Sequence, residues 1–525
     1  MSISRRSLLG GGLGAAPMGA LGAPGLAAPP KSARKGKPKN VIFCVTDGTA
    51  LQVISMADDF QRVVNGRPGY WAWLVDQEYA TSGLQSTRSL NSVVTDSSAA
   101  SSAWGSGRRI WNGQLNQYPD GTLLRPLTSV VREAGMKTGL VTTTTITHAT
   151  PSGFAVNCVQ RDLEGLIAEN LLKAGVDVLM GGGDRFFSPA LRKDRRDLYA
   201  DFAKAGYQIL KSRQELMKPA ARSGKVLGIF HDGHMPYSVD HLNDPASRES
   251  KPTLVEMTRA ALASLKGASK GFLMQVEGGR VDAGAHGNDL AATLYDYFAF
   301  EEAVKAAVEF AHQDGETLVV ITADHATGGP SLNGSGTEYI DSTAGLKTLA
   351  GMKASYGVLL KAAGNRPSAD RLREVVREGL SITLTAAEAE AVAAALRGQS
   401  PFGVSEFYGG GSPALAMALG NHTKVTWTSS NHTSDHVLVT AIGPGSASFA
   451  GLTPNHRFFG LLLAAKGLRH ENPPQMDFET AKKHYAKLKV TLRPELFERY
   501  ACDTDGRTLA EPQEHSPFFG GAAGT

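Results

Sequence analysis

Cysteine is scarce in this chain. The 525 residues hold three, Cys44, Cys158 and Cys502, too few for a disulfide framework and without the paired spacing of a zinc finger. Cys44 sits inside an apolar run and reads as core. Long uninterrupted apolar stretches are missing too, so no stable membrane span is expected. The chain also lacks a strong excess of one charge. Its net charge is +4, but residues 1–40 carry seven cations and no acid, which leaves −3 for the remainder. A basic leader on a slightly acidic body gives no nucleic-acid footprint. With 42% hydrophobic and 20% charged residues, the body reads as globular. No internal repeat is visible.

What is present begins with an address. Ser4-Arg5-Arg6-Ser7-Leu8-Leu9 precedes a Gly/Ala stretch that ends at Leu26-Ala27-Ala28-Pro29. This is a twin-arginine signal pattern. Pro17, Pro24 and many glycines make the stretch a poor membrane helix. Residues 1–28 are expected to be the signal peptide and 29–39 a basic linker. Export by the twin-arginine machinery, to the periplasm or beyond, follows. That route moves proteins already folded, which suits a chain without paired cysteines.

The body alternates strands and helices. Buried runs stand at 40–48, 137–143, 176–180, 271–276, 317–322 and 436–442, and helix-period stretches at 162–174 and 290–312. Continuous apolar runs fit strands covered on both faces. Alternation with helices predicts a three-layer α/β fold, with a mostly parallel central sheet between two helix layers. In such sheets ligands sit beyond the carboxyl ends of the strands. Residues 330–425 break the pattern with Ala- and Glu-rich helices, such as 385–397, and are expected to form a capping insertion. The catalytic domain is placed at 40–495 and the C-terminal tail at 496–525. From about residue 470 the chain is polar and punctuated by Pro and Gly, and is expected to wrap the surface and fray at its end.

The chemistry-bearing residues fall at the strand exits. Thr95-Asp96-Ser97-Ser98-Ala99-Ala100 opens a run of tiny residues, where a helix can start close to a ligand and turn its unpaired N–H groups toward an anion. A serine there meets a phosphate if a metal lowers its pKa. Asp47 ends the first run. Glu277-Gly278-Gly279-Arg280-Val281-Asp282 leads to His286, and Asp282 and His286 share one side of a helix four residues apart. Carboxylate plus imidazole suits zinc. Asp324-His325 ends another run and Asn431-His432-Thr433 precedes the last. His148-Ala149-Thr150-Pro151 and Arg161 complete the set, and an arginine fork matches two phosphate oxygens.

This combination, in this order, resembles the alkaline phosphatase family, especially its twin-arginine-exported bacterial branch. The likeness runs from Asn40 to about residue 330 and resumes near His432. It implies a phosphomonoesterase that releases inorganic phosphate from small phosphate monoesters, with Ser97 as the phosphorylated nucleophile. It further implies two Zn2+ and one Mg2+. Asp282, His286 and His432 match ligands of the zinc that holds the leaving oxygen, and Asp324 and His325 match ligands of the zinc that activates Ser97. Asp47 bridges to the magnesium, whose other ligands match Thr150 and Glu277. Arg161 clamps the phosphoryl oxygens, with His148 and Asp96 behind these groups. The two zincs would bracket the entering and leaving oxygens roughly 3.5–4 Å apart. The pH optimum is expected to be alkaline, because metal ligands must be deprotonated.

Two positions depart from the best-known bacterial pattern. His148 stands where that pattern has an aspartate, as in the animal branch, so the third site is open to a divalent ion other than magnesium. Ala283 stands where it has a lysine that reaches phosphate through water, so weaker phosphate holding and faster product release are expected. A phosphodiesterase or sulfatase on the same fold is the nearest rival, and a non-catalytic periplasmic binding protein the next. The sequence leaves the natural substrate and a homodimer open.

Overall fold

The computed structural model describes residues 36–219, 223–399, 407 and 411–491. The twin-arginine segment, most of the basic linker, Cys502 and the tail 496–525 lie outside the described residues. In chain order the strands are β1 (Asn40–Thr46), β2 (Ala80–Ser86), β3 (Lys137–Thr145), β4 (Val178–Gly182), β5 (Tyr207–Leu210), β6 (Lys225–Ile229) and β7 (Phe272–Gly278). They continue with β8 (Thr317–Thr322), β9 (Ala326–Thr327), β10 (Ser331–Leu332), β11 (Val425–Thr426), β12 (His432–Thr433), β13 (Val437–Ile442) and β14 (Gly451–Pro454). Ten of them form one sheet in the order β14-β2-β13-β8-β1-β7-β3-β4-β6-β5. The pairings are parallel except where β13 lies antiparallel between β2 and β8. The α/β sheet expected from the apolar runs is therefore present.

Both faces of the centre are covered. All seven residues of β1 are buried, and its side chains alternate between two cores. Ile42 and Cys44 join Phe60, Met257, Phe300 and Val304 from helices on one face. Val41, Phe43 and Val45 join Val131, Ile167, Phe458 and Leu462 from helices on the other. A period of two inside an unbroken apolar run is what a doubly covered strand requires. Phe43 also packs edge-on against Trp104 at 4.9 Å, which ties the helix Ser97–Ser106 to the sheet.

Four strands of the sheet were not anticipated from the sequence, although β6 is apolar and mostly buried. β2 is largely polar, with only Gln85 buried. Gly83 lets β14 approach, since a Cβ there would stand 2.4 Å from the Gly451 carbonyl oxygen. β5, β6 and β14 have four or five residues each. β14 also follows β13, so the strand after His432 is not the last.

Within 330–425 the described residues form the helices Ile340–Thr348, Tyr356–Ala363, Ala369–Leu380, Ala386–Leu396 and Gly411–Thr423. Thr385 and Glu388 form a reciprocal cap that starts the fourth. Leu346, Leu359, Leu372 and Leu419 extend the first core outward. The two ends of this segment are tied together. β10 pairs antiparallel with β11, and β9 with β12, which sets His432 opposite Thr327.

Candidate active site

Four neighbouring strands, β8, β1, β7 and β3, deliver most of the site from their carboxyl ends. Asp47 follows β1, Glu277 lies in the last turn of β7, Asp324 and His325 follow β8, and His148 and Thr150 follow β3. The helix Arg280–His286 presents Asp282 and His286 one turn apart. Gly48 has φ +67°, and a Cβ there would lie 2.4 Å from Asp282 Oδ1. Only glycine lets the end of β1 come this close.

Ser97 is the first residue of the helix Ser97–Ser106, and Asp96 caps it by accepting the Ala99 N–H at 2.9 Å. The tiny residues that follow have a packing purpose. Ser101 Oγ donates to the Thr150 carbonyl at 2.5 Å, and a Cβ on Gly105 would stand 1.9 Å from the Gly153 carbonyl oxygen. Small side chains press this helix directly onto the segment that carries His148 and Thr150.

The gathered ligand atoms form three groups. Asp282, His286 and His432 make a triangle. His286 Nε2 is 3.4 Å from Asp282 Oδ2 and 3.0 Å from His432 Nε2, and His432 Nε2 is 3.6 Å from Asp282 Oδ1. Ligand atoms at about 2.0–2.1 Å from a tetrahedral ion stand roughly 3.3–3.4 Å from one another, so the triangle fits such an ion. Asp47, Asp324 and His325 form the second group, with His325 Nε2 3.5 Å from Asp47 Oδ1 and 3.2 Å from Asp324 Oδ2. Ser97 Oγ is 3.2 Å from the same His325 nitrogen. His325 also joins Asp282 and His432, the three offering ligand atoms within 4.8 Å of one another, and its ring stacks 3.6 Å from that of His432. Asp47, His148 and Glu277 form the third, where Thr150 Oγ1 donates to Asp47 Oδ2 at 3.3 Å. His148 thus stands among the third group rather than behind it.

The surroundings aim these atoms inward. His286 Nδ1 donates to the Ser430 carbonyl at 2.6 Å, and His432 Nδ1 to the Thr95 carbonyl at 2.8 Å. Carbonyls only accept, so in the neutral rings each Nε2 carries a lone pair facing the other; with no cation between them a proton on His286 fills that place, in keeping with its raised pKa. Two such nitrogens 3.0 Å apart call for a positive charge between them. Asp324 Oδ1 accepts the backbone N–H groups of Gly48 and His325 at 3.0 and 2.9 Å, which turns Oδ2 inward. Asp47 Oδ1, Asp324 Oδ2, Glu277 Oε1 and His148 Nδ1 are buried without a hydrogen-bond partner. Buried charge is tolerated when paired or bound to metal. The donor sets fit divalent cations in all three groups.

The titration pattern agrees. Burial, together with repulsion from Asp324, Asp282 and Glu277, pushes Asp47 well above the carboxylate range. Burial lifts Glu277 to about 8 and Asp324 to about 7. Asp282 behaves differently. Burial disfavours its charge, but His286, His432 and His325 together hold it well below its usual value. Desolvation also opposes a charge on half-buried His286, yet Asp282 outweighs it and raises the ring to about 8. His325 is driven well below the imidazole range by burial and by His432. His148 is lowered to about 3 by burial and by Arg161.

Arg161 is held from two sides. Its Nη1 donates to Asp96 Oδ2 at 3.0 Å, and its Nη2 stands 3.0 Å from His148 Nε2. All twelve residues singled out from the sequence come together around Ser97. Sequence reasoning missed Thr327, whose hydroxyl donates to Asp282 Oδ1 at 2.7 Å. It also missed the carbonyls of Thr95 and Ser430. Threonine one position past Asp324-His325-Ala326 carries a weak signal, and a backbone carbonyl carries none.

Known proteins share this architecture. Residues 38–468 match the alkaline phosphatase family. The protein named alkaline phosphatase 3 of Bacillus subtilis is 30% identical over 437 residues, 81% of this chain and 88% of its own length. Streptomycin-6-phosphate phosphatase of Streptomyces griseus is 29% identical over 482 residues, covering 82% and 91%. The crystal structure of Thermus thermophilus alkaline phosphatase aligns with a TM-score of 0.79 at 35% identity, over 89% of this chain and 100% of that one. A cold-active alkaline phosphatase from Shewanella aligns at 0.66 and 27% identity, over 81% and 99%. A serine at a helix start beside cation-ready carboxylates and imidazoles, on a fold matched along most of its length, thus has a plain assignment: the chain belongs to the alkaline phosphatase family and is a phosphatase.

Proposed function

We propose that the protein is a metal-dependent phosphomonoesterase that works through a phosphoserine at Ser97. The observation that carries this reading is Ser97 Oγ, buried at the start of its helix, 3.2 Å from His325 Nε2 and beside two groups of cation ligands. Asp282, His286 and His432 would hold one zinc, and Asp47, Asp324 and His325 the other. Two imidazoles in the first set and one in the second support zinc. Asp47, Glu277 and Thr150 would hold magnesium, and the imidazole of His148 opens that site to softer divalent ions. Bound divalent cations supply a lowered pKa at the serine hydroxyl and at water, and stabilise a departing oxyanion.

The chain's own groups do the rest. Ser97 gives up its hydroxyl proton to solvent and Oγ attacks phosphorus in line. The bond from phosphorus to the ester oxygen breaks as the new one forms, and that oxygen leaves with the electron pair and takes a proton from water. Arg161, fixed by Asp96 and His148, binds equatorial oxygens where charge accumulates. Water then attacks the phosphoserine, which frees Ser97 and inorganic phosphate. Two inversions give net retention at phosphorus. A named relative in Streptomyces acts, by its name, on the 6-phosphate of streptomycin, which supports a monoester substrate. The arginine-arginine motif at Arg5-Arg6 supports twin-arginine export. Buried free thiols at Cys44 and Cys158 suit passage in the folded state.

A substrate panel tests the proposal. The metal-loaded protein should hydrolyse p-nitrophenyl phosphate far faster than bis(p-nitrophenyl) phosphate or p-nitrophenyl sulfate. A diester or sulfate rate equal to the monoester rate would place it with the rival enzymes, and no turnover of any of the three would favour a binding protein.

A further inference from the structure

We infer that the C-terminal helix Phe478–Thr491, beyond the residues that match the family, positions the phosphate clamp through Trp111. This rests on Arg161 being that clamp.

The chain after residue 468 is pinned beside the nucleophile's helix. Asn472 Nδ2 donates to the Ser106 carbonyl at 2.8 Å and the Arg125 carbonyl at 3.0 Å, and its Oδ1 accepts the Arg125 N–H at 2.7 Å. Arg108 donates to the carbonyls of Asn472 and Pro473 at 2.6 and 2.7 Å. Gln475 brackets the backbone of Arg109 at 2.9 and 2.8 Å. The helix that follows carries Phe478 and Tyr485 seven residues apart, so both rings lie near one line along its side. Both stack on Trp111. Ring centroids are 6.1 Å apart for Phe478 at 2° and 4.6 Å apart for Tyr485 at 20°. Such offset pairs are favourable beyond their buried area.

The two residues after Trp111 touch the clamp and its carboxylate partner. Asn112 Oδ1 accepts the Asp96 N–H at 3.2 Å. The Gly113 N–H donates to Asp96 Oδ2 and Ser98 Oγ, both at 3.0 Å. The Gly113 carbonyl accepts the Arg161 N–H at 2.7 Å. One glycine therefore fixes the backbone of Arg161 and the carboxylate that orients its guanidinium. The aromatic stack holds the residue two positions before it. Trp111 and Tyr485 are positioning residues, and they act on phosphate only through Arg161.

A double-mutant cycle tests this. In the metal-loaded full chain, Trp111→Ala should weaken inhibition by inorganic phosphate and raise KM for p-nitrophenyl phosphate, each by about tenfold, in the range seen when a supporting partner is lost. Tyr485→Ala, which cuts the stack from the helix side, should do the same. Trp111→Phe should restore both constants to within about twofold. In an Arg161→Ala background either alanine change should alter them by less than about twofold. Equal losses in both backgrounds, or no loss in either, would overturn the positioning role while leaving the monoesterase reading intact. Wild-type protein that turns over no monoester would overturn both.

Discussion

Arg161 carries its charge between the Asp96 carboxylate and the His148 ring, 3.0 Å from each. Arg161→Ala should lower kcat/KM by about 10–100-fold rather than abolish turnover, because bound cations would still neutralise much of the transition-state charge. Steady-state kinetics on p-nitrophenyl phosphate would check this, and a loss as deep as that of Ser97→Ala would count against it. At Ala283 a cation is missing where a common bacterial pattern has one. Ala283→Lys should tighten the inhibition constant of inorganic phosphate several-fold, and an unchanged or weaker constant would show that the position does not face phosphate. The acids and histidines of the site were legible because each closes an apolar run or follows a glycine turn. His432 was less so. It lies in a two-residue strand, and only pairing with β9 brings it to His325. The carbonyls of Thr95 and Ser430 could not be read at all, since a backbone acceptor has no residue type.

The helix Ser97–Ser106 shows how an element sets a site. Its Ser/Ala composition reads locally as a plain helix start. Its role comes from contact with the segment Ala149–Gly153, where Gly105 and Ser101 meet backbone. Gly105→Ala should therefore destabilise the protein by about 1–3 kcal/mol through overpacking, and should lower activity as Ser97 shifts. Thermal unfolding together with kinetics would check it, and an unchanged Tm and kcat would show that the two helices have room to part. The central strands were legible from sequence because burial on both faces forces an unbroken apolar run. β2 and β14 were not. They pair toward an edge, and their places depend on Gly83 and Gly451 coming close rather than on hydrophobic pattern.

For the whole molecule, cation binding and folding are coupled through buried carboxylates. Glu277 and Asp324 have folded-state pKa values of about 8 and about 7, and Asp47 is also raised. A carboxyl with a raised pKa stabilises the fold at pH values below its unfolded pKa. That contribution is lost as pH climbs through the folded value. Protein stripped of divalent ions should thus lose Tm between about pH 4.5 and pH 8. Protein loaded with them should not show this loss at these residues, because cations favour the ionised form. Asp289, Asp296 and Glu301, each raised to about 7 by burial, add the same slope to both forms. The diagnostic is then the Tm difference, which should widen as pH rises, and a constant difference would contradict cation binding at Asp47, Glu277 and Asp324. The central claim is tested most directly by trapping the covalent intermediate. Metal-loaded protein incubated with a radiolabelled phosphate monoester at acid pH and quenched should yield label on the peptide that contains Ser97, and Ser97→Ala should yield none. Turnover of the monoester with no label on that peptide, or undiminished turnover by Ser97→Ala, would contradict it.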